Sequence, residues 1–138
     1  MNTSVTLSSG QRMPLLGLGC SRASSQEVAA AVEAALLAGY RHIDTAYFYR
    51  NEDGVGEGIQ AALKSGKMTR SDLFVVTKLP MIAMQVSKVE KYLKRSLKLL
   101  GLDYVDLYLV HSPCGCVERS ETDVFPTQDG KTAGRLFD

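Results

Sequence analysis

The sequence predicts an α/β fold in which a parallel β-sheet carries helices on its outside. Two kinds of segment in the 138 residues support this prediction, one typical of strands and the other of helices. Short runs rich in β-branched and aliphatic residues alternate along the chain with segments whose apolar residues recur at helical spacing. Strands that alternate with helices of this length pair in parallel through right-handed crossovers. We therefore expect an N-terminal hairpin, four parallel strands with three helices between them, and an irregular tail.

The N-terminal residues predict a β-hairpin followed by the first strand of the sheet. Residues 5–7 and 13–15 are short runs that contain apolar side chains, and the polar residues 8–11 between them include Gly10. This pattern is typical of a hairpin turn. The next run, residues 15–20, reads LLGLGC and is expected to form a buried strand whose glycines allow close approach of a ligand or another backbone.

Three segments have the apolar spacing of amphipathic helices. The first begins with Ser24 and Glu27 in the spacing of a capping box. The second has Asn51 as a candidate N-cap, and the third begins with Ser87 and Glu90, again in capping-box spacing. The glycines expected to end the helices are Gly39, Gly66 and Gly101. The apolar stripes are Val28, Val32, Ala35 and Leu36, then Val55, Ile59, Ala62 and Leu63, and then Val89, Leu93, Leu97 and Leu100.

The remaining strands are predicted by apolar runs that follow each helix. These runs cover residues 41–44, 73–79 and 105–111, and the middle one is the richest in β-branched and aromatic residues. From residue 112 the character changes to Gly, Pro, Ser, Thr and charged residues without a sustained period. We expect residues 112–138 to be a long loop or tail.

Composition and charge exclude several classes of protein. The net charge of +1 gives no bulk field that would attract nucleic acid or an anionic membrane. The basic residues at 91–98 are expected to lie on a solvated helix face. Three cysteines are too few for a disulfide framework, and Cys114 and Cys116 lack the spacing of a zinc site, so no metal is predicted. With no secretory signal at the N-terminus, we expect a cytosolic protein.

Polar residues stand at the carboxyl ends of three successive predicted strands. Asp44 ends the second strand, Lys78 ends the third and His111 ends the fourth, while Tyr49 follows the second strand in its loop. In a parallel sheet all these ends lie on one edge, where such folds place their sites. We therefore expect the four side chains to converge.

These residue types suit proton delivery to an oxygen atom that gains negative charge. A phenol is a poor acid at neutral pH, but a nearby ammonium lowers its pKa. Asp44 is expected to hold Lys78 charged and in place, and a neutral His111 can donate a hydrogen bond to a carbonyl oxygen. Reduction of an aldehyde or ketone fits this set, with the hydride supplied by a cofactor because no side chain can supply it.

Four stretches resemble the aldo-keto reductase superfamily, in particular its aldose reductase-like and alcohol dehydrogenase (NADP⁺)-like members. They are GLGC at residues 17–20, HIDTAYFYRNEDGVG at 42–56, VVTKLP at 75–80 and DYVDLYLVHSP at 103–113. The resemblance runs in register from about residue 3 to residue 113. It implies a (β/α)₈ TIM barrel, of which this chain would be the N-terminal half, and NADPH-dependent reduction of carbonyl compounds.

The resemblance also assigns roles to the strand-end residues. It implies that Tyr49 is the general acid, that Lys78 paired with Asp44 lowers the pKa of Tyr49, and that His111 orients the substrate carbonyl. Tyr49 and His111 are thus the implied substrate-binding residues. The implied cofactor-binding residues are Cys20, Ser21, Arg22 and Asp44. The close spacing of Gly54, Gly56 and Gly58 is expected to serve close packing on the barrel.

The chain departs from the family pattern in length and in its aromatic residues. A (β/α)₈ barrel typically needs about 250 residues, so residues 1–111 are expected to form a truncated half barrel and residues 112–138 a loop or tail. Ser21, Pro80 and Ser112 stand where many members have tryptophan, which leaves the substrate open. The choice between NADPH and NADH also stays open.

Three interpretations of the short length compete: a fragment of a full enzyme, a truncated isoform with little activity, or a half barrel that pairs with another copy. The alternative to a reductase is accordingly a non-catalytic half barrel that acts as an interaction partner. A monomer is expected for full-length members of the family, and self-association is possible for the half barrel because its sheet edges would be open.

Overall fold

The computed structural model describes residues 3–124, 126–128, 131–132 and 134–135. An antiparallel hairpin of β1 (Ser4–Thr6) and β2 (Arg12–Pro14) precedes the main sheet. The strands of the main sheet are β3 (Leu18–Gly19), β4 (His42–Asp44), β5 (Phe74–Leu79) and β6 (Leu107–Val110). They are parallel and lie in the order β3-β4-β5-β6.

Three helices connect the parallel strands. They are α1 (Ser25–Leu37), α2 (Glu52–Lys64) and α3 (Val86–Leu100). Single turns of 3₁₀ helix occur at Tyr47–Tyr49, Arg70–Asp72 and Met81–Ala83. The predicted order of hairpin, four parallel strands and three helices is therefore confirmed. No helix within the described ranges is long and apolar enough to cross a membrane.

The predicted helix starts are right for α1 and need correction for the other two helices. Ser24 and Glu27 form the expected capping box. Asn51 is the N-cap residue of α2, but its side-chain amide donates to the carbonyl oxygens of Cys20 and Ala23 instead of capping the helix. The capping box predicted at Ser87 is wrong, since the N-cap of α3 is Gln85 and Ser87 lies inside the helix.

The first parallel strand is shorter and more exposed than predicted. The amide of Leu15 donates to the carbonyl oxygen of Thr3, so this residue extends the hairpin instead of starting the strand. Leu15 and Leu16 are 61% and 66% exposed. Of the predicted run 15–20, only Leu18 and Gly19 form the strand that pairs with β4.

Two apolar clusters form the core of the described part of the chain. The first fills the space between the sheet and the helices, and the second lies above the carboxyl ends of the strands, around Tyr47 and Tyr92. The α2 stripe of Val55, Ile59 and Ala62 is buried as predicted. On α3 the buried residues are Tyr92, Ser96 and Leu100, so the buried face is rotated slightly from the predicted leucine stripe.

The glycines of α2 allow close packing, as expected, and their neighbours in this packing are the adjacent helices. A Cβ atom on Gly54 would lie 2.1 Å from the carbonyl oxygen of Ser25 in α1, and one on Gly56 would lie 2.5 Å from that of Leu100 in α3. The backbone of α2 therefore approaches the backbones of α1 and α3 closely at these glycines.

The segment from residue 112 contains short strands within an otherwise irregular course. β7 (Gly115–Cys116), β8 (Thr127–Gln128), β9 (Lys131–Thr132) and β10 (Gly134–Arg135) are each two residues long. β7 pairs with β10, and β8 pairs with β9. The predicted tail also includes residues 125, 129, 130, 133 and 136–138, which lie outside the described residues.

Acidic residues of this segment bind the basic face of α3. Lys88 lies 2.5 Å from a carboxylate oxygen of Glu118, and Lys91 lies 2.5 Å from one of Glu121. Arg95 also pairs with Glu121. The basic face of α3 is solvated as expected at Lys94 and Lys98, whereas Lys91 and Arg95 also bind Glu121. This pairing was not predicted, because Glu121 lies far from α3 in sequence.

Candidate active site

The carboxyl edge of the sheet brings together the polar residues that end its strands. Asp44 is the last residue of β4, Lys78 is the fifth of the six residues of β5, and His111 directly follows β6. Tyr49 closes the 3₁₀ turn after β4, where its amide donates to the carbonyl oxygen of Ala46 at 3.0 Å. The next residue, Arg50, has a left-handed backbone with φ of 59° and redirects the chain into α2.

The ammonium group of Lys78 is the centre of this cluster. Its Nζ lies 2.5 Å from Oδ1 of Asp44 and 3.2 Å from Oη of Tyr49. A third hydrogen bond, of 3.0 Å, goes to the backbone carbonyl oxygen of Thr45. Three oxygen partners fix the position of the ammonium, and the phenol oxygen of Tyr49 is thereby held beside a positive charge.

His111 lies edge-on to Tyr49. Their ring centroids are 5.5 Å apart, and Phe48 packs in a similar T-shaped manner at 5.6 Å. Burial and the nearby Lys78 ammonium lower the pKa of His111, and Asp44 opposes this shift. Within the described part of the chain, its Nδ1 is buried without a hydrogen-bond partner. A neutral imidazole with an uncommitted ring nitrogen can bind one further polar atom.

The residues after β3 differ in how close they come to the cluster. The amide of Cys20 donates to the carbonyl oxygen of Asp44 at 3.0 Å, and its side chain is buried. Burial, aided by Asp44, raises the pKa of the Cys20 thiol to about 12. Ser21 and Arg22 are exposed, and Arg22 has a left-handed backbone with φ of 64°. Cys20 therefore lies beside Asp44, while Ser21 and Arg22 lie at the solvent-exposed surface of the loop.

Comparison with models of known protein families shows which family the chain belongs to. A model described as "Aldo/keto reductase family" matches residues 15–123 of the chain. The chain belongs to the aldo/keto reductase family.

Relatives in this family share both sequence and fold with the chain. A D-galacturonate reductase from Hypocrea jecorina is 48% identical over 130 residues, which cover 94% of this chain and 41% of the relative. The structure of the aldose reductase from Schistosoma japonicum is 38% identical with a TM-score of 0.92, over 97% of this chain and 44% of that one. The crystal structure of Bombyx mori aldo-keto reductase AKR2E4 in complex with NADP superposes with a TM-score of 0.81 and has 44% sequence identity. The match covers 83% of this chain and 39% of that one.

The chain spans less than half the length of these aldo/keto reductase relatives. Within that span the predicted fold class, a partial (β/α)₈ barrel with an N-terminal hairpin, is confirmed by the agreement with the Schistosoma japonicum structure.

The candidate aldo/keto reductase site also contains contacts that the sequence analysis missed. The Thr45 carbonyl oxygen binds Lys78, and Phe48 packs on His111. The Asn51 amide ties the loop of Cys20 to the start of α2 at 2.8 Å. A backbone carbonyl carries no sequence signal. Asn51 was predicted as an N-cap residue, but no local pattern indicates that its side chain bonds to the Cys20 loop.

Proposed function

We propose that this chain carries the site of an NADPH-dependent aldo-keto reductase that reduces aldehydes or ketones to alcohols. The observation that supports this most strongly is the Lys78 ammonium, which lies within hydrogen-bond distance of both the Asp44 carboxylate and the Tyr49 phenol oxygen. A phenol with such a neighbour can give up its proton, because the ammonium stabilises the negative charge left on the oxygen.

Each of the four residues has a role in this proposal. Tyr49 donates the proton to the carbonyl oxygen as general acid. Lys78 stabilises the resulting phenolate, and Asp44 holds the ammonium in place. His111, whose lowered pKa favours the neutral ring, donates a hydrogen bond that orients the substrate oxygen beside Tyr49.

The residues present fit one end of a nicotinamide cofactor. The Asp44 side chain is 36% exposed, and a side chain at Gly19 would meet nothing within 4 Å. The open backbone at Gly19 thus leaves room for a flat ring beside the Asp44 carboxylate. In this proposal Cys20, Ser21, Arg22 and Asp44 contact the cofactor, which supplies the hydride when bound. The Bombyx mori relative described with NADP supports the choice of cofactor.

An alternative function is a non-catalytic half barrel that pairs with another copy. The exposed apolar residues of the edge strand β6 favour it, since Leu109 is 39% and Val110 is 60% exposed. In this alternative residues 1–111 form the pairing unit and residues 112–138 a loop or tail. Sedimentation that finds a monomer at micromolar concentration contradicts pairing. In either case we expect the protein in the cytosol, which cell fractionation would test.

Consumption of NADPH with a small aldehyde tests the proposed reductase. The purified chain should consume NADPH only when aldehyde is present, and Tyr49→Phe and Lys78→Met should each lower the rate by about 10²–10⁴-fold. Tyr104→Phe is the matched control, since Tyr104 is an exposed tyrosine that stacks on Arg70. A folded chain without aldehyde-dependent consumption would refute catalysis by this chain.

A further inference from the structure

A buried carboxyl group lies directly behind the candidate site. Glu52, the first residue of α2, is 1% exposed. Its Oε1 accepts a 2.6 Å hydrogen bond from Oγ1 of Thr77, and its Oε2 accepts a 2.9 Å bond from Oγ of Ser96. Burial raises the pKa of Glu52, and the two hydroxyl bonds oppose this shift. A buried carboxyl is costly to keep, so its contacts call for an explanation.

The first of these hydrogen bonds joins the two segments that carry Tyr49 and Lys78. Glu52 lies three residues after Tyr49, and Thr77 immediately precedes Lys78. On the other side, Lys78 Nζ lies 3.2 Å from the Tyr49 oxygen. The residues 49–52 and 77–78 therefore form a closed circuit with one hydrogen bond at each end.

The geometry of a strand explains why both bonds form together. Successive side chains of a strand point to opposite faces, so Thr77 points toward the helices when Lys78 points toward the site. The Thr77 side chain is fully buried. A displacement of α2 along β5 would break the bond between Glu52 and Thr77, and it would also move Tyr49 relative to Lys78.

We propose that Glu52 and Thr77 are positioning residues that set the distance between the Tyr49 phenol and the Lys78 ammonium. This inference deepens the proposed reductase function and rests on it for its catalytic meaning. Neither residue touches the reacting atoms. Both act through the short backbone connections to Tyr49 and Lys78.

Ser96 provides the comparison that separates positioning from general stabilisation. It binds the same carboxyl group, yet it belongs to α3, which carries none of the four site residues. Loss of either hydroxyl leaves Glu52 with one buried oxygen unpaired, so both substitutions should lower stability by a similar amount. Only loss of the Thr77 hydroxyl should change the site.

Nuclear magnetic resonance of the full chain tests this without any need for activity. Two signals report on the site: the nuclear Overhauser effect between the edge-on rings of Tyr49 and His111, and the titration midpoint of His111. Thr77→Val should lose the ring contact and raise the His111 midpoint toward its ordinary value, because the imidazole becomes less buried when the Tyr49 ring moves away. Thr77→Ser, which keeps the hydroxyl, should restore both signals.

Ser96→Ala is the control variant, because it removes the other hydroxyl bond to the same carboxyl group. Ser96→Ala should leave both signals as in the wild type. Equal changes in Thr77→Val and Ser96→Ala, or no change in either, would overturn the proposal.

If Thr77→Val does not fold, Glu52→Gln and Glu52→Asp give the decision. Gln keeps an oxygen for Thr77, whereas the carboxylate of Asp is one methylene shorter and is drawn back from the Thr77 hydroxyl, so only Asp should lose the signals. The same behaviour in both variants would overturn the proposal. An inactive chain with these signals would instead refute the reductase function alone.

Discussion

Replacement of Gly54 by alanine should destabilise the chain, although alanine is the better helix former. The added Cβ would lie 2.1 Å from the carbonyl oxygen of Ser25 and 2.7 Å from its carbonyl carbon and Cα. One turn later in α2, a Cβ on Gly58 would lie 2.5 Å from the carbonyl oxygen of Ala29. Because these neighbours are backbone atoms of α1, they cannot rotate away, and the helices must separate.

The two opposing contributions can be weighed. Alanine gains about 1 kcal/mol over glycine in a helix interior. Overpacking of a well-packed contact costs about 1–3 kcal/mol, and contact with three backbone atoms places Gly54 near the upper end. We therefore expect a net loss of about 2 kcal/mol in the free energy of unfolding, measured by urea denaturation.

An exposed position in the same helix provides the control. Glu57 is exposed, so Glu57→Ala should be more stable than Glu57→Gly by about 1 kcal/mol. If Gly54→Ala proves as stable as the wild type or more stable, while the Glu57 pair shows the expected difference, the close contact between α1 and α2 is refuted.

Three further predictions concern titration and reactivity. The lowered pKa of His111 means that the unfolded chain binds more protons than the folded chain. The free energy of unfolding, measured by urea denaturation, should therefore rise with pH up to the ordinary histidine pKa and level off above it. His111→Gln should flatten this rise. Buried Cys20, with a pKa of about 12, should react with iodoacetamide much more slowly than exposed Cys114 in the native chain, as peptide mapping would show. Glu118→Gln should speed limited proteolysis within residues 112–124, whereas Glu90→Gln, which removes an exposed pair within α3, should not.

Local patterns in the sequence were enough to predict most elements of the fold. The apolar stripes of α1 and α2 coincide with their buried faces, because helical periodicity and burial have the same geometric cause. The start of β3 could not be predicted, since Leu15 bonds to Thr3 across the hairpin turn. The start of α3 was missed because Ser87 fits a capping pattern that the helix does not use.

The candidate site was predictable to the extent that parallel strands align their carboxyl ends. That rule brings Asp44, Lys78 and His111 to one edge without any knowledge of coordinates. The contact between Glu52 and Thr77 could not be predicted, because it joins residues twenty-five positions apart. The strand pattern indicates that Thr77 is buried but not which residue it contacts.

Transfer of deuterium from cofactor to product is the most direct test of the central claim, that Tyr49 and its neighbours form a carbonyl-reduction site. The chain would be incubated with an aldehyde and with NADPH that carries deuterium at its hydride position, and the alcohol analysed by mass spectrometry. We expect deuterium on the former carbonyl carbon with the wild type and with Tyr104→Phe, and little or none with Tyr49→Phe. A folded chain that transfers no deuterium, or a Tyr49→Phe variant that transfers as much as the wild type, would contradict the claim.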